Sequence, residues 1–374
     1  VHELSRRLAE YFEVTVLTPH APGAKVQEIM DSVHIFRYRY APAPLETLVH
    51  DGGIIANLRR SPWKWFLIPS FGLMQAKSLL RLLRKQDPAV IHAHWMLPQG
   101  FLMGLLRAVV PSAPPFLVTA HGADLFALRG RAFACMRRFT IRQAGLVTVV
   151  SEAMRTATIA AGAPAEKIQV EPMGVDLSGI FSPDASVVRS ETEILFVGRL
   201  VEKKGVRHLI DAMQLILASC PEAFLTVVGF GPEEQGLRAQ VALLELSERV
   251  QFVGAVANSD LPGLYRRAAV FVAPFVEAAS GDQEGLGLVV LEASGCGCPC
   301  VVSQVPATVD VLRNSHGIFG VPPGNVSALA DEVLKVLALR GSLQAHPPLS
   351  FDWHARSLAY SRILDRLRKE SCVR

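Results

Sequence analysis

Apolar positions along this 374-residue chain fall into short, nearly continuous runs, separated by longer segments with helical spacing. Runs at residues 14–18, 34–38, 90–94, 116–120, 146–150 and 168–171 predict a first series of strands. Runs at 194–197, 224–228, 250–253, 270–274 and 300–303 predict a second series. Leu4 and Leu8 lie four apart among charges, which predicts an amphipathic helix over residues 1–11. Helical patterns recur at 331–339 and from a cap at Ser350-Phe351-Asp352 to about Lys369, with His346-Pro347-Pro348 breaking the chain between them. Residues 177–193 are polar, with little periodicity, and read as a linker. Strands alternating with helices on both sides of a linker predict an α/β protein of two domains, 1–176 and 194–345, followed by a terminal segment at 346–374.

Composition narrows this picture. Half of the residues are hydrophobic, enough for two sizeable cores at this length. The net charge of +4 is mild and comes with no RNA- or DNA-binding motif, so nucleic acid is not expected as a partner. Cys135, Cys220, Cys296, Cys298, Cys300 and Cys372 are unevenly spaced in mostly apolar context, which suits reduced thiols in a cytoplasmic protein. Cys296, Cys298 and Cys300 alternate, but no second Cys/His pair follows at zinc-site spacing. No run suits a membrane-spanning helix, and no signal peptide is evident. The chain opens at Val1 in a helical pattern, where an α/β domain would open on a strand and a glycine-rich turn. The expectation is therefore a chain lacking its first strand.

Residues 284–300 carry the densest chemistry. Gly285 and Gly287, with Leu286 between them, leave bare backbone at the expected start of a helix, where N–H groups and the helix dipole suit a phosphate. Glu284 precedes that helix and Glu292 lies inside it. A carboxylate beside a phosphate repels it, so each requires another partner, such as a sugar or ribose hydroxyl. The strand at 116–120 runs into His121-Gly122-Ala123-Asp124, a position suited to touching a substrate. The strand at 194–197 runs into a loop bearing Arg199, Lys203 and Lys204; Arg binds a diphosphate as a fork and Lys as a mobile point charge. Gly229-Phe230-Gly231-Pro232 begins like a dinucleotide fingerprint but lacks its third glycine, which weakens a hydride-transfer reading. His92 and His94 alternate on one side of a strand that ends at Trp95; a core or loop role fits them, since no third metal ligand is evident.

These motifs together resemble the retaining glycosyltransferases of family 4, group 1. Glu284 and Glu292 stand at the two positions of its Glu-x7-Glu signature, and His121-Gly122-Ala123-Asp124 at its His-Gly-x-Asp. Gly198-Arg199-Leu200 with Lys204-Gly205 matches its basic loop. Met173 departs from the Asn that the family often carries before Gly-Val-Asp. The resemblance covers nearly the whole chain. It implies the GT-B fold, two Rossmann-like domains facing across a cleft, with the last helix crossing back to brace the first domain. It further implies that His121 and Glu284 position the donor sugar. Arg199, Lys204 and the amides of Gly285, Leu286 and Gly287 would hold the donor diphosphate. Glu292, Val256 and Gly229 would lie at the nucleoside, with Asp124, Asp282 and Gln283 on the sugar or acceptor side.

The activity implied is transfer of a hexose-type sugar, with retention, from a nucleoside-diphosphate sugar to a hydroxyl on a lipid-linked or polysaccharide glycan, as in lipopolysaccharide, capsule or exopolysaccharide assembly. No Asp-x-Asp motif accompanies the cations, so metal independence and no cofactor are expected. Residues 52–86 hold no acidic residue. They carry Arg59, Arg60, Lys64, Lys77, Arg81, Arg84 and Lys85 interleaved with Trp63, Trp65, Phe66 and Phe71, a composition suited to an anionic membrane surface or to a solvated face with core aromatics. Two other readings stay open at this point: a GT-B sugar-nucleotide epimerase, and a non-catalytic membrane-surface protein on the same fold.

Overall fold

The computed structural model describes residues 1–50, 53–126, 128, 130–313, 315–339 and 342–372. Gly52 and the side chains of Arg59 and Cys372 lie outside the described residues. The chain divides into two compact units. One comprises Val1–Thr119, Ala132–Val147 and Ser357–Arg374; the other comprises Ala120–Arg131 and Thr148–Arg356.

In the first unit, β1 (Thr15–Pro19), β2 (Gln27–Met30) and β3 (Val33–Tyr38) form a sheet in the order β1-β3-β2. β1 and β3 are parallel; β2 is antiparallel to β3. Asp31 and Ser32 join β2 to β3 with φ of 47° and 64°, the two left-handed residues of a tight hairpin turn. The sequence pattern does not reveal β2, because its residues are mostly exposed and show no apolar alternation. Tyr38, Tyr40, Leu48, Leu58, Leu67 and Phe71 form a local core that seats the helix Leu67–Gln86. Phe71 meets Tyr38 and Tyr40 edge-on, so it is a core aromatic, as the second of the two readings of this stretch expects. Lys64 is likewise buried, with Nζ donating to Thr47 O at 3.1 Å and Asn57 Oδ1 at 3.0 Å.

A four-stranded sheet follows, of β4 (Ile91–His94), β5 (Phe116–Ala120), β6 (Leu146–Val149) and β7 (Ile168–Val170), in that order. β4 and β5 are parallel. His92 and His94 lie on one side of β4 with ring centroids 4.2 Å apart, as their alternation requires. Within the first unit, Tyr360 of the last helix (Trp353–Cys372) stacks on His92.

The second unit is built on β8 (Glu193–Val197), β9 (Phe224–Val228), β10 (Val250–Gly254), β11 (Val270–Ala273), β12 (Cys300–Ser303) and β13 (Ile318–Val321). All pairings are parallel, in the order β10-β9-β8-β11-β12-β13. Numbered within the unit this is 3-2-1-4-5-6, the doubly wound order of the Rossmann fold. Helix Val206–Ser219 buries Val206, Leu209, Ile210, Met213 and Ile216 on one stripe, against Leu329, Ala330 and Val333 of helix Val326–Ala338. Asn325 caps the latter helix by accepting from Ala328 N, so it begins earlier than the apolar pattern from residue 331 suggests.

The strand order reverses between β8 and β11, and open α/β sheets bind ligands at the carboxyl ends flanking such a reversal. Gly205 packs there with φ +67°; a Cβ on it would lie 1.8 Å from the carbonyl oxygen of Pro274, just past β11. Gly254 has φ +81° with open space around its Cβ position. Gly205→Ala is therefore expected to destabilise the protein by about 2–4 kcal/mol through backbone displacement, and Gly254→Ala by about 1–2 kcal/mol through left-handed strain alone. Equal losses in urea unfolding would contradict the close approach at Gly205.

Candidate sugar-nucleotide site

Two loops meet at the β8/β11 reversal. The first leaves β8 and contains the turn Glu202–Lys204; the second leaves β11 and ends at helix Leu288–Gly295. Glu202 Oε1 accepts from Ala279 N at 2.9 Å. Lys203 O accepts from Val276 N at 3.0 Å, and Lys203 Nζ donates to Gln283 O at 3.0 Å while pairing with Asp282 Oδ1 at 3.2 Å. Lys204 Nζ lies 2.8 Å from Glu284 Oε2 and 4.7 Å from the centre of the Phe275 ring. With Gly205 against Pro274, four consecutive residues hold the second loop to the first.

This interlock supplies roles that sequence motifs left open. Lys203, the extra cation of the basic loop, orders Asp282 and Gln283. Glu284 has its partner inside the protein: burial would raise its carboxyl, but the ammonium of Lys204 overrides burial and holds it at about 2. An ammonium has three N–H donors, so Lys204 can hold Glu284 and still reach an anion. Arg199 is exposed, and its side chain makes no hydrogen bond or ion pair with any described residue.

Glu292 lies in helix Leu288–Gly295, where burial raises its carboxyl; the hydroxyl of fully buried Tyr265 donates to its Oε2 at 3.0 Å. Tyr265 is held in turn by edge contact with Phe271. The carboxylate is thus fixed in orientation by a residue 27 positions earlier.

His121 follows directly after β5. Its carbonyl oxygen sits 2.9 Å from where a Cβ on Gly285 would stand, so a side chain at 285 would push the His121 and Glu284 segments apart. Burial lowers the imidazole to about 4, leaving it neutral, with one donor and one acceptor nitrogen, at neutral pH. Asp124 is buried, and its Oδ1 accepts from His121 N at 3.1 Å and Gly122 N at 3.2 Å, which fixes the turn.

Helix Leu288–Gly295 starts after Gly287, whose φ is +79°. The amide of Gly285 donates to Glu284 Oε1 at 3.2 Å, so it is engaged and not bare as the sequence suggests. Gly229 N donates to Gly254 O at 2.8 Å, tying the ends of β9 and β10. Val256 follows β10 in the next loop, half-buried. His121, Lys204, Asp282, Gln283, Glu284 and Gly285 are thus joined by direct contacts or through the two loops, while Arg199, Gly229 and Val256 lie at neighbouring strand ends. Sequence reasoning missed Glu202, Tyr265 and Phe275. The charge triplet Glu202-Lys203-Lys204 opposite Glu277, Asp282 and Glu284 was the available signal for the interlock; Tyr265 gave none.

Among the described residues, no group of three or more His, Cys, Asp or Glu could hold a metal ion. The three clustered cysteines are buried, with burial pushing Cys296 and Cys298 up to about 12 and raising Cys300 well above the usual thiol range. They act as small core residues.

The cations and carboxylates lie at the switch point of a doubly wound sheet, the place where open α/β sheets bind their ligands. Residues 183–346 match the family model of glycosyl transferases group 1, and residues 1–178 match that of glycosyltransferase family 4. The chain belongs to the family 4, group 1 glycosyltransferases and is a glycosyltransferase. It is 27% identical to the amylovoran biosynthesis glycosyltransferase AmsK of Erwinia amylovora, over 83% of this chain and 79% of that protein. It is 29% identical to the phosphatidyl-myo-inositol mannosyltransferase of Mycobacterium leprae, over 87% and 79%. The fold is GT-B, with two Rossmann-like α/β domains. Sucrose-phosphate synthase from Thermosynechococcus elongatus superposes with a TM-score of 0.76 at 23% identity, covering 98% of this chain and 92% of that one. Anabaena HepE, solved with UDP and glucose, superposes with a TM-score of 0.64 at 20% identity, covering 89% and 86%.

Both lowered groups predict acid sensitivity. His121 falls from 6.5 to about 4, so its contribution is present above pH 6.5 and lost as pH falls towards 4. Glu284 falls from 4.5 to about 2, so its contribution is present above pH 4.5 and lost as pH falls through 2. His121→Gln is expected to flatten the stability profile between pH 6.5 and 4, and Glu284→Gln between 4.5 and 2. Chemical denaturation across pH reads this; unchanged slopes would contradict the assignments.

Proposed function

We propose that this glycosyltransferase moves a hexose-type sugar, with retention of configuration, from a nucleoside-diphosphate sugar to a hydroxyl of a lipid-linked or polysaccharide glycan. The observation that carries this reading is the interlock at the β8/β11 reversal, which places Lys204 and Glu284 together beside the His121 turn. In the reaction the bond between the anomeric carbon and the diphosphate oxygen breaks, and the acceptor oxygen bonds to that carbon. The nucleoside diphosphate leaves with the bonding pair, and the acceptor hydroxyl releases its proton.

Negative charge builds on the leaving diphosphate, and Arg199 and Lys204 are the cations that stabilise it. Glu284 keeps its charge at all working pH values and faces the sugar, where an anion favours the positive charge developing on the ring. Neutral His121 hydrogen-bonds a sugar hydroxyl. Glu292, fixed by Tyr265, accepts from the ribose hydroxyls. These cations do the work that a divalent ion does in other transferases, so turnover is metal-independent.

The acceptor class draws support from the first unit. Trp63, Trp65, Phe66 and Leu73 are 48%, 55%, 86% and 69% exposed. Pro69, Leu73, Lys77, Leu80 and Arg84 continue from Phe66 at helical spacing along the outer face of helix Leu67–Gln86, while Leu67, Phe71 and Gln75 face inward. The exposed stripe is apolar at its amino end and basic at its carboxyl end. This is the arrangement that seats a helix on anionic lipid, with aromatics inserted and cations at the headgroups. No helix among the described residues is long and apolar enough to cross a membrane; the contact proposed is a peripheral one, at the cytoplasmic face.

Release of nucleoside diphosphate from UDP- and GDP-sugars, stimulated by added acceptor and resistant to chelator, tests the transfer. Arg199→Ala and Lys204→Ala are each expected to lower kcat about 100-fold with the fold retained; intact turnover would contradict the diphosphate assignment. Replacing Trp65 and Phe66 with Ser, or Lys77, Arg81 and Arg84 with Gln, is expected to abolish sedimentation with phosphatidylglycerol vesicles. Unchanged sedimentation would rule out this face.

A further inference from the structure

We propose that the indole of Trp95 is a stacking platform for a sugar ring of the acceptor, an inference that rests on the transfer reading above. Trp95 follows β4 at its carboxyl end with φ +71°, a conformation that glycine adopts freely and a bulky residue resists. The backbone is clamped on both sides. Trp95 N donates to Thr119 O at 2.8 Å, and Trp95 O accepts from Gly100 N at 3.1 Å. The strain does not serve to bury the ring: the following residues, Met96 and Leu97, are buried, whereas Trp95 is 38% exposed. A strained backbone that turns a large aromatic outward at a strand's carboxyl end serves a ligand better than it serves the fold.

The ring is also supported. Tyr360, fully buried, stacks on His92 at 5.5 Å between centroids; His92 lies 4.2 Å from His94; His94 meets Trp95 edge-on at 6.5 Å. His92 Nε2 is 2.7 Å from Thr119 Oγ1, which fixes the foot of the column. The result is an indole braced along its edge by a column of packed rings. An indole face is electron-rich and attracts the slightly positive C–H face of a pyranose. A nucleobase could also stack on an indole, and the test separates the two.

The full chain labelled with 15N at tryptophan gives indole signals from Trp63, Trp65, Trp95 and Trp353. The Trp95 signal is identified by its loss in Trp95→Phe. Titration with methyl glycosides of glucose, galactose, mannose and N-acetylglucosamine is expected to shift the Trp95 signal selectively, and UDP or GDP alone is not. A signal that no glycoside moves, or that the nucleotides move instead, overturns the proposal. In glycoside-stimulated turnover, Trp95→Ala is expected to raise acceptor KM at least tenfold with donor KM unchanged, and Trp95→Phe to restore most of it. Trp95→Gly should match Trp95→Ala in KM while keeping Tm at or above the starting value, because glycine accepts the φ. A drop in Tm with donor and acceptor parameters moving together would mean a structural role and sink the platform. Thermal stabilisation by UDP or GDP is read in parallel: its absence counts against the transfer reading, and the glycoside shift at Trp95 is judged separately.

Discussion

The second unit depends on the lock between residues 202–205 and the loop that follows β11. That loop carries Glu284 and spans more than ten residues without regular structure. Ordering such a segment costs on the order of 1–2 kcal/mol per residue in backbone entropy. The cost is offset at several points: a carboxylate on a backbone amide, an ammonium on a carbonyl, a partly buried ion pair, and a glycine seated against Pro274. Each contact comes from a successive residue, so a short rigid turn serves as template for a long irregular one. The doubly wound order supplies the location, since β8 and β11 are adjacent in the sheet and their connections depart in opposite directions.

Electrostatic balance explains how charge can be gathered there at all. Lys203 pairs with Asp282 and Lys204 with Glu284, while Glu202 adds a negative charge within the same turn, so the turn is not a bare cationic patch. Removing one member of a partly buried pair leaves the other uncompensated, and that sensitivity couples loop order to local charge. In the proposed reaction the diphosphate is met by exposed Arg199 and by a lysine that Glu284 already holds in place, which limits reorganisation when charge moves. Tyr265 does the same for Glu292 by fixing a carboxylate that burial alone would leave easily protonated.

Much of this was legible in the sequence. Five of the six strands of the large sheet are apolar runs, because parallel strands covered on both faces leave that trace. β13 escaped because it is short and interrupted by Gly320, and β2 because it is exposed. The motifs named His121, Arg199, Lys204, Glu284 and Glu292, but not what each one touches. Lys204 and Glu284 are 80 residues apart, and Tyr265 precedes Glu292 by 27; no local pattern encodes such pairs. Burial of Lys64 and Phe71 was hidden for a related reason. Composition counts a charge or a ring without saying which way it faces, and both turn into a core built by Tyr38, Tyr40 and Asn57.

In the proposed site Lys204 and Glu284 act as a unit. A double-mutant cycle with Lys204→Met and Glu284→Gln, read as affinity for UDP- and GDP-sugars by calorimetry, tests this most directly. The pair should show a coupling free energy of about 1 kcal/mol or more, with the double variant binding less poorly than the sum of the single losses. Strictly additive losses would mean that the two residues act independently, and the lock would then be a feature of the fold without consequence for the donor.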